Sequence, residues 1–183
     1  MVHFLGRAFC IAVIGSGIFV APALAAEYKL TGKNTKIEFL GTKPDGKHKG
    51  SFPKLTGTLE APDDLTKAKI TVKIDMDSLE SDDPKLTGHL KSPDFFETKK
   101  YPEAKFVSKK IKADKEDFVV TGDLTMHGKT KEISFPAKIT NSAGAAGLEA
   151  EFSINRSDWG ISYGPGKIDE AVKMTVYLNT DTK

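Results

Sequence analysis

The chain has 183 residues, with 27 Lys and Arg against 25 Asp and Glu, a net charge of +2 and one cysteine, Cys10. That length holds one domain, or one domain with a targeting segment. The near-balanced charge gives no sign of a nucleic-acid partner, and a lone thiol excludes an internal disulfide framework.

In chain order, the first stretch predicts an export signal. Arg7 supplies a positive start, Ala8 to Ala21 is apolar, and Pro22-Ala23-Leu24-Ala25 ends in the small-x-small pattern of a cleavage site. The run falls short of the roughly 20 apolar residues of a membrane span. Residues 1–25 are therefore read as a signal peptide cleaved after Ala25, with Ala26 as the rival, and residues 26–183 as one exported, periplasmic or secreted domain. Cys10 leaves with the signal, so thiolate catalysis and cysteine metal sites leave with it. The remaining domain, at about 158 residues, can bury roughly 70% of its unfolded surface and needs no staples.

Beyond residue 26 the pattern alternates with period two, the signature of strands with one dry and one wet face. Ile37 and Phe39 begin it. Ile70, Val72, Ile74 and Met76 alternate with Lys69, Thr71, Lys73 and Asp75. Phe118/Val120 and Leu124/Met126 are shorter runs. Ile133, Phe135, Ala137 and Ile139 follow, then Leu148, Ala150, Phe152 and Ile154, then Val172, Met174, Val176 and Leu178. Breaks are read at Pro44-Asp45-Gly46, Ala61 to Asp64, Gly122-Asp123, His127-Gly128 and Asn141 to Gly147. About eight short strands with short loops predict an all-β fold of antiparallel hairpins, a closed barrel or a sandwich. One stretch departs from this. Asp82-Asp83-Pro84 has the form of a helix cap followed by Pro at the first helical position, with Leu86, Leu90 and Phe95/Phe96 as its buried stripe. Tyr101-Pro102 then returns the chain to extended geometry.

Little in the chain suggests catalysis, and no enzyme activity or cofactor is expected. His48, His89 and His127 lie in separate turns or helices without ligand spacing, so no metal site is expected. The pairs Asp63-Asp64 and Asp82-Asp83 suit turn and cap duty. No Gly-x-Ser-x-Gly elbow and no phosphate loop is present. The basic clusters at Lys99-Lys100 and Lys109-Lys110-Ile111-Lys112 read as solvated faces, with transient contact to an anionic membrane surface as the sharper alternative. Asn155-Arg156-Ser157-Asp158-Trp159-Gly160 follows a strand and holds the only tryptophan. Either Arg156 pairs with Asp158 to pin the strand end while Trp159 plugs the core, or Arg156 and Trp159 grip a ligand's head at a cavity mouth.

Six segments in order resemble the YceI family of exported, lipocalin-like polyisoprenoid-binding proteins. They are Gly50-Ser51-Phe52 leading to Gly57; Ile70 to Asp75 with Ser78-Leu79; His89-Leu90-Lys91-Ser92-Pro93-Asp94-Phe95-Phe96; Tyr101-Pro102 before Phe106; Gly122 to Gly128; and Asn155 to Gly160. The chain departs from the pattern at Gly32 to Lys36, where many members carry an Asp and a His-Ser pair, and at the loop Lys43 to His48. The resemblance implies an eight-stranded antiparallel barrel with one short helix and a pore for a long isoprenoid tail, such as that of a quinone or its precursor. The lining is then expected from Phe39, Phe52, Ile70, Val72, Ile74, Phe95, Phe96, Leu124, Met126, Phe135, Phe152, Ile154, Trp159, Met174, Val176 and Leu178, with Asp94 and Arg156 at the head group. A tail burying roughly 400 Å² gains on the order of 10 kcal/mol before ordering losses. The competing reading is a ligand-free structural or protein-interaction barrel, which a void below about 300 Å³ would favour. A homodimer stays open, since no residue pattern marks a two-fold face.

Overall fold

Alternating side chains around a curled antiparallel sheet give this chain its architecture. The computed structural model describes residues 25–142 and 144–180, so the expected signal segment before Ala25, with Arg7 and Cys10, lies outside the described residues. The strands are β1 (Ala26–Thr31), β2 (Thr35–Lys43), β3 (Gly46–Ser51), β4 (Leu55–Ala61), β5 (Lys69–Asp75), β6 (Glu80–Ser81), β7 (Glu103–Asp114), β8 (Asp117–Met126), β9 (Lys129–Ser142), β10 (Ala145–Asn155) and β11 (Ala171–Asn179). The helix α1 (Pro84–Lys91) lies between β6 and β7. Neighbours pair in the order β1-β4-β5-β7-β8-β9-β10-β11-β2-β3-β6.

Eleven strands make eight staves of a ring, because three staves are bent. β1 and β2 are separated only by Gly32–Asn34, β3 and β4 only by Phe52–Lys54, and β5 leads to β6 through a 3-10 turn at Met76–Ser78. The bent stave β3–β4 pairs with β2 and β1 along one side and with β6 and β5 along the other. Both ends of the strand order therefore meet on it, and the sheet closes. Phe52 N–H donates to the Ile37 carbonyl at 3.1 Å and Asp75 N–H to the Lys54 carbonyl at 3.0 Å, carrying the ladder through the bends. Between the Thr31–Thr56 pair and the Phe52–Ile37 bond, residues 32–36 face residues 53–55, a surplus of two that curves the stave. One seam is splayed: β10 pairs with β9 only from Ala145 to Ala150, so Glu151–Asn155 pairs with β11 alone.

Two expected breaks are not breaks. Gly122-Asp123 lies inside β8, so the runs at Phe118 and Leu124 are one strand. Gly122 points into the barrel beneath the Phe106 ring, where an added Cβ would sit 2.6 Å from ring carbon Cζ. It is a notch for a neighbour, not a turn. Asn141 to Gly147 is also mostly strand: β9 runs to Ser142 and β10 restarts at Ala145, with Ala146 buried. Small inward residues such as Ala146 mask the alternation there. Conversely, β1 and β4 bring Leu30, Leu55, Leu59 and Ala61 inward, a series too sparse, with Gly57 among its inward positions, to read as alternation.

The local signals elsewhere act as their chemistry dictates. Asp83 caps α1, its carboxylate accepting from the Lys85 and Leu86 amides, with Pro84 in the first turn. Asp82 serves another element. Its carboxylate accepts the Lys49 amide and meets His48 Nδ1, both at 2.9 Å, which ties α1's leading edge to β3. The amide bond, then the histidine, holds the Asp82 carboxyl below its ordinary range. His127 and Gly128 form a two-residue hairpin with φ of 50° and 73°, the left-handed geometry that matches strand twist. Of the basic cluster on β7, Lys109 sits at a register shift, 2.7 Å from Asp123 and 3.2 Å from Glu132. Those bonds, Asp123 first, raise its ammonium above the ordinary value.

Candidate functional site: an apolar half-barrel

The barrel interior is divided along its axis. In one half, Leu30, Leu59, Ile70, Ile111, Val120, Ile139, Leu148 and Leu178 are at most 5% exposed and meet in the core. This half is solid. In the other, beneath α1, the segment at Phe95-Phe96 and the loop 160–170, an apolar cavity of about 130 Å³ remains open.

Every stave but β9 contributes to both halves. On β10, Ile154 lines the cavity, whereas Phe152, Ala150 and Leu148 lie on the solid side. On β8 the lining is Leu124 and Met126; on β2, Phe39 and Gly41; on β11, Met174 and Val172. Phe52, Ile74, Met76 and Ala104 complete the staves, Leu90, Phe95 and Phe96 come from the helical segment, and Ile161 and Ile168 from the loop. Phe39 packs on Phe52 at 5.6 Å, and Phe52 meets Phe96 edge-on at 6.4 Å. Apart from Arg156 and Asp169, every lining residue is apolar or glycine.

Arg156 holds the loop open over this space. It is 6% exposed, and its guanidinium donates to the carbonyls of Ile161 at 2.8 Å, Asp169 at 3.1 Å and Ile168 at 3.2 Å. A planar fork with several donors suits three carbonyls on one short loop, a task a lysine cannot copy. The expected Arg156–Asp158 ion pair is absent among the described residues. Asp169 closes the loop onto β2: its amide donates to the Thr42 carbonyl at 3.0 Å, and its carboxylate accepts the Thr42 hydroxyl at 2.5 Å. Tyr163, exposed on the loop, reaches across to His89 at 4.7 Å and Phe95 at 5.0 Å.

The expected lining is thus brought together in part. Phe39, Phe52, Ile74, Phe95, Phe96, Leu124, Met126, Ile154 and Met174 line the cavity, with Arg156 at its loop side. Ile70, Val72, Phe135, Phe152, Val176 and Leu178 face inward but belong to the filled half or its boundary. Trp159 is no lining residue either. It is 1% exposed, and its Nε1–H donates to the Leu124 carbonyl at 3.0 Å, which is the plugging role. Asp94 is turned outward, 3.0 Å from His89 Nε2. A sequence pattern of period two says which face is dry, not whether that face meets a void or a neighbour. Gly41, Ile161 and Ile168 escaped notice because a glycine and two loop residues carry no periodic signal; Met76, Leu90, Ala104 and Val172 escaped for the same want of volume information.

The histidines have separate local partners: His48 with Asp82, His89 with Asp94, and His127 Nδ1 with the Trp159 carbonyl at 3.0 Å. Among the described residues no group of three or more His, Cys, Asp or Glu is placed to hold a metal ion, and no helix is long and apolar enough to cross a membrane.

Known proteins resemble this chain in sequence and in fold. A UPF0312 protein of Pseudomonas putida (strain GB-1) is 35% identical over 188 aligned positions, covering 94% of this chain and 95% of its own. The crystal structure of Burkholderia cenocepacia BcnA superposes with a TM-score of 0.73 at 22% identity, over 79% of this chain and 95% of that one. A polyisoprenoid binding domain from Saccharophagus degradans, implicated in plant cell wall breakdown, superposes with a TM-score of 0.66 at 17% identity, over 85% of this chain and 97% of that one. Residues 28–181 match the YceI-like domain along almost the whole described barrel, and the chain belongs to that family.

Proposed function

We propose that this protein is an exported, non-enzymatic binding protein for a polyisoprenoid lipid, which holds an end of the apolar chain in the open half of the barrel. The observation that carries the reading is the cavity itself. It is walled by apolar side chains, and the two polar residues beside it spend their polar groups on the protein: Arg156 on three carbonyls, Asp169 on Thr42. Such a site rewards burial of hydrocarbon at about 25 cal/mol per Å² and offers a charged ligand nothing. The binding named for the Saccharophagus degradans domain supports the same class of ligand.

Volume favours a second reading. At about 130 Å³, the cavity falls below the roughly 300 Å³ of an ordinary small-molecule site. A dry cavity of about 150 Å³ takes benzene, so the space here matches a group near the size of one isoprene unit. Seating more chain requires the wall to move, and Met76, Met126 and Met174 are the unbranched, adaptable side chains that allow it. A barrel that stays packed is instead a structural or protein-interaction module of the cell envelope.

The two readings part on extraction. The protein, expressed with its own N-terminus, is purified from the exported fraction, extracted with organic solvent and analysed by mass spectrometry. The carrier reading expects a co-purified prenyl lipid, uptake of an added prenol by the stripped protein, and a mature N-terminus at Ala26. No prenyl lipid together with no uptake overturns it in favour of the packed barrel. Intracellular protein with an intact N-terminus overturns export alone.

A further inference from the structure

The boundary between the filled and open halves is built from aromatic rings. Phe135 and Phe152 are stacked, with centroids 4.3 Å apart and planes 12° from parallel, and Phe106 abuts Phe135 at 5.7 Å. They come from β7, β9 and β10, which with β8 are consecutive staves, and they sit one inward position below the cavity wall: Phe106 lies two residues beyond Ala104, and Phe152 two residues before Ile154. None of the three lines the cavity, and Val120, beyond them, is 0% exposed. Room for the Phe106 ring is made by Gly122, whose missing side chain would occupy the same space.

Resting on the binding function proposed above, we propose that Phe106, Phe135 and Phe152 are a chain-length stop: they set how many carbons of a prenyl chain the barrel takes in. Phe135 is buried and Phe152 stacks on it from the half-buried side, and a flat ring pair held this way yields less readily than an unbranched methionine, because displacing it strains the neighbours of Phe135. Apolar binding grows with the area removed from water. Affinity therefore rises with chain length until the chain end meets the rings, and then stays level while further carbons remain in solvent or among the loop residues.

The test is a length profile. Dissociation constants for geraniol, farnesol and geranylgeraniol are measured by competition against a dansylated geranyl amine, for wild type, Phe152→Ala and Ile154→Phe. Phe152→Ala removes half of the stack and moves the level region to longer chains. Its gain for the longest prenol over wild type is about tenfold, the effect of roughly 55 Å² of additional buried apolar surface. Ile154→Phe places a ring one inward position above Phe152 and moves the level region to shorter chains. It also keeps the proposal falsifiable if Phe152→Ala does not fold, since it fills space instead of emptying it. Folded variants with the wild-type length profile overturn the stop and leave the binding function standing. Failure of wild type to bind any of the three prenols overturns both.

Discussion

The two halves of this barrel use the same alternation of apolar and polar residues and reach opposite ends. In the filled half, inward Leu, Ile and Val from all sides meet in one buried cluster. In the open half Gly41 and Ala104 stand among larger lining residues, and the cover is kept in place by the hydrogen bonds of Arg156 to loop backbone as well as by Leu90, Phe95 and Ile161 packed inward. The difference teaches that a binding cavity in a small barrel is a local deficit of volume. The ring of eight is narrow enough to fill completely, so space persists only where the side chains arriving from wall and lid do not meet.

The strongest challenge to that contrast is stability on truncation. Leu59→Ala, in the filled half at 0% exposure, is expected to cost about 3–5 kcal/mol, because a close-packed site collapses poorly around the lost atoms. Met174→Ala, in the wall of an existing void and half-buried, is expected to cost about 1 kcal/mol. Urea unfolding of both gives the comparison, and equal losses would abolish the distinction between the halves.

Arg156 tests the propping. Arg156→Ala leaves the carbonyls of Ile161, Ile168 and Asp169 without their donor and is expected to cost about 3 kcal/mol. Amide exchange should quicken in residues 160–170 while Leu59 and Val120 stay protected. Arg156→Lys should recover less than half, since an ammonium cannot serve three divergent carbonyls at once. An Arg156→Ala variant with wild-type exchange in that loop would remove the arginine from its role.

A smaller effect belongs to the hairpin beside the open end. Gly128→Ala puts a Cβ at φ 73° and 2.7 Å from the Tyr101 ring, for an expected loss of about 1–2 kcal/mol in thermal or chemical unfolding. Asp82 should give the smallest change and the clearest pH signature. Its carboxyl is held low in the fold by the Lys49 amide, then by His48. A lowered folded-state value means the contribution is present above the ordinary carboxylate range and is lost as pH falls through the lowered value. Asp82→Asn is therefore expected to be less stable than wild type at neutral pH and equal to it in acid; a stability gap that persists at low pH would contradict the assignment.

The division between what was legible and what was not follows from range. Asp83-Pro84 announces a helix start because a cap is a contact between residues two and three apart. The strands at Ile70, Ile133 and Val172 announce themselves because alternation is a property of the backbone pleat. Their antiparallel class, and a ring with eight places, follow from counting such runs, although eight is reached partly by compensation: the alternation splits β8 into two runs, while β1 and β4 are too sparse to count.

Tertiary structure alone decided the rest. Gly122 looks like a turn residue until Phe106, from the neighbouring strand, is seen to need its space. Phe135 and Phe152 look like wall until they stack on each other, and Arg156 looks like a partner for Asp158 until loop 160–170 brings three carbonyls to it. The order of apolar residues along the chain determines which face is turned from water, since the hydrophobic effect needs no direction beyond that. Whether the face meets a neighbour or an empty space depends on the summed volume of side chains arriving from other strands, a quantity no local pattern contains.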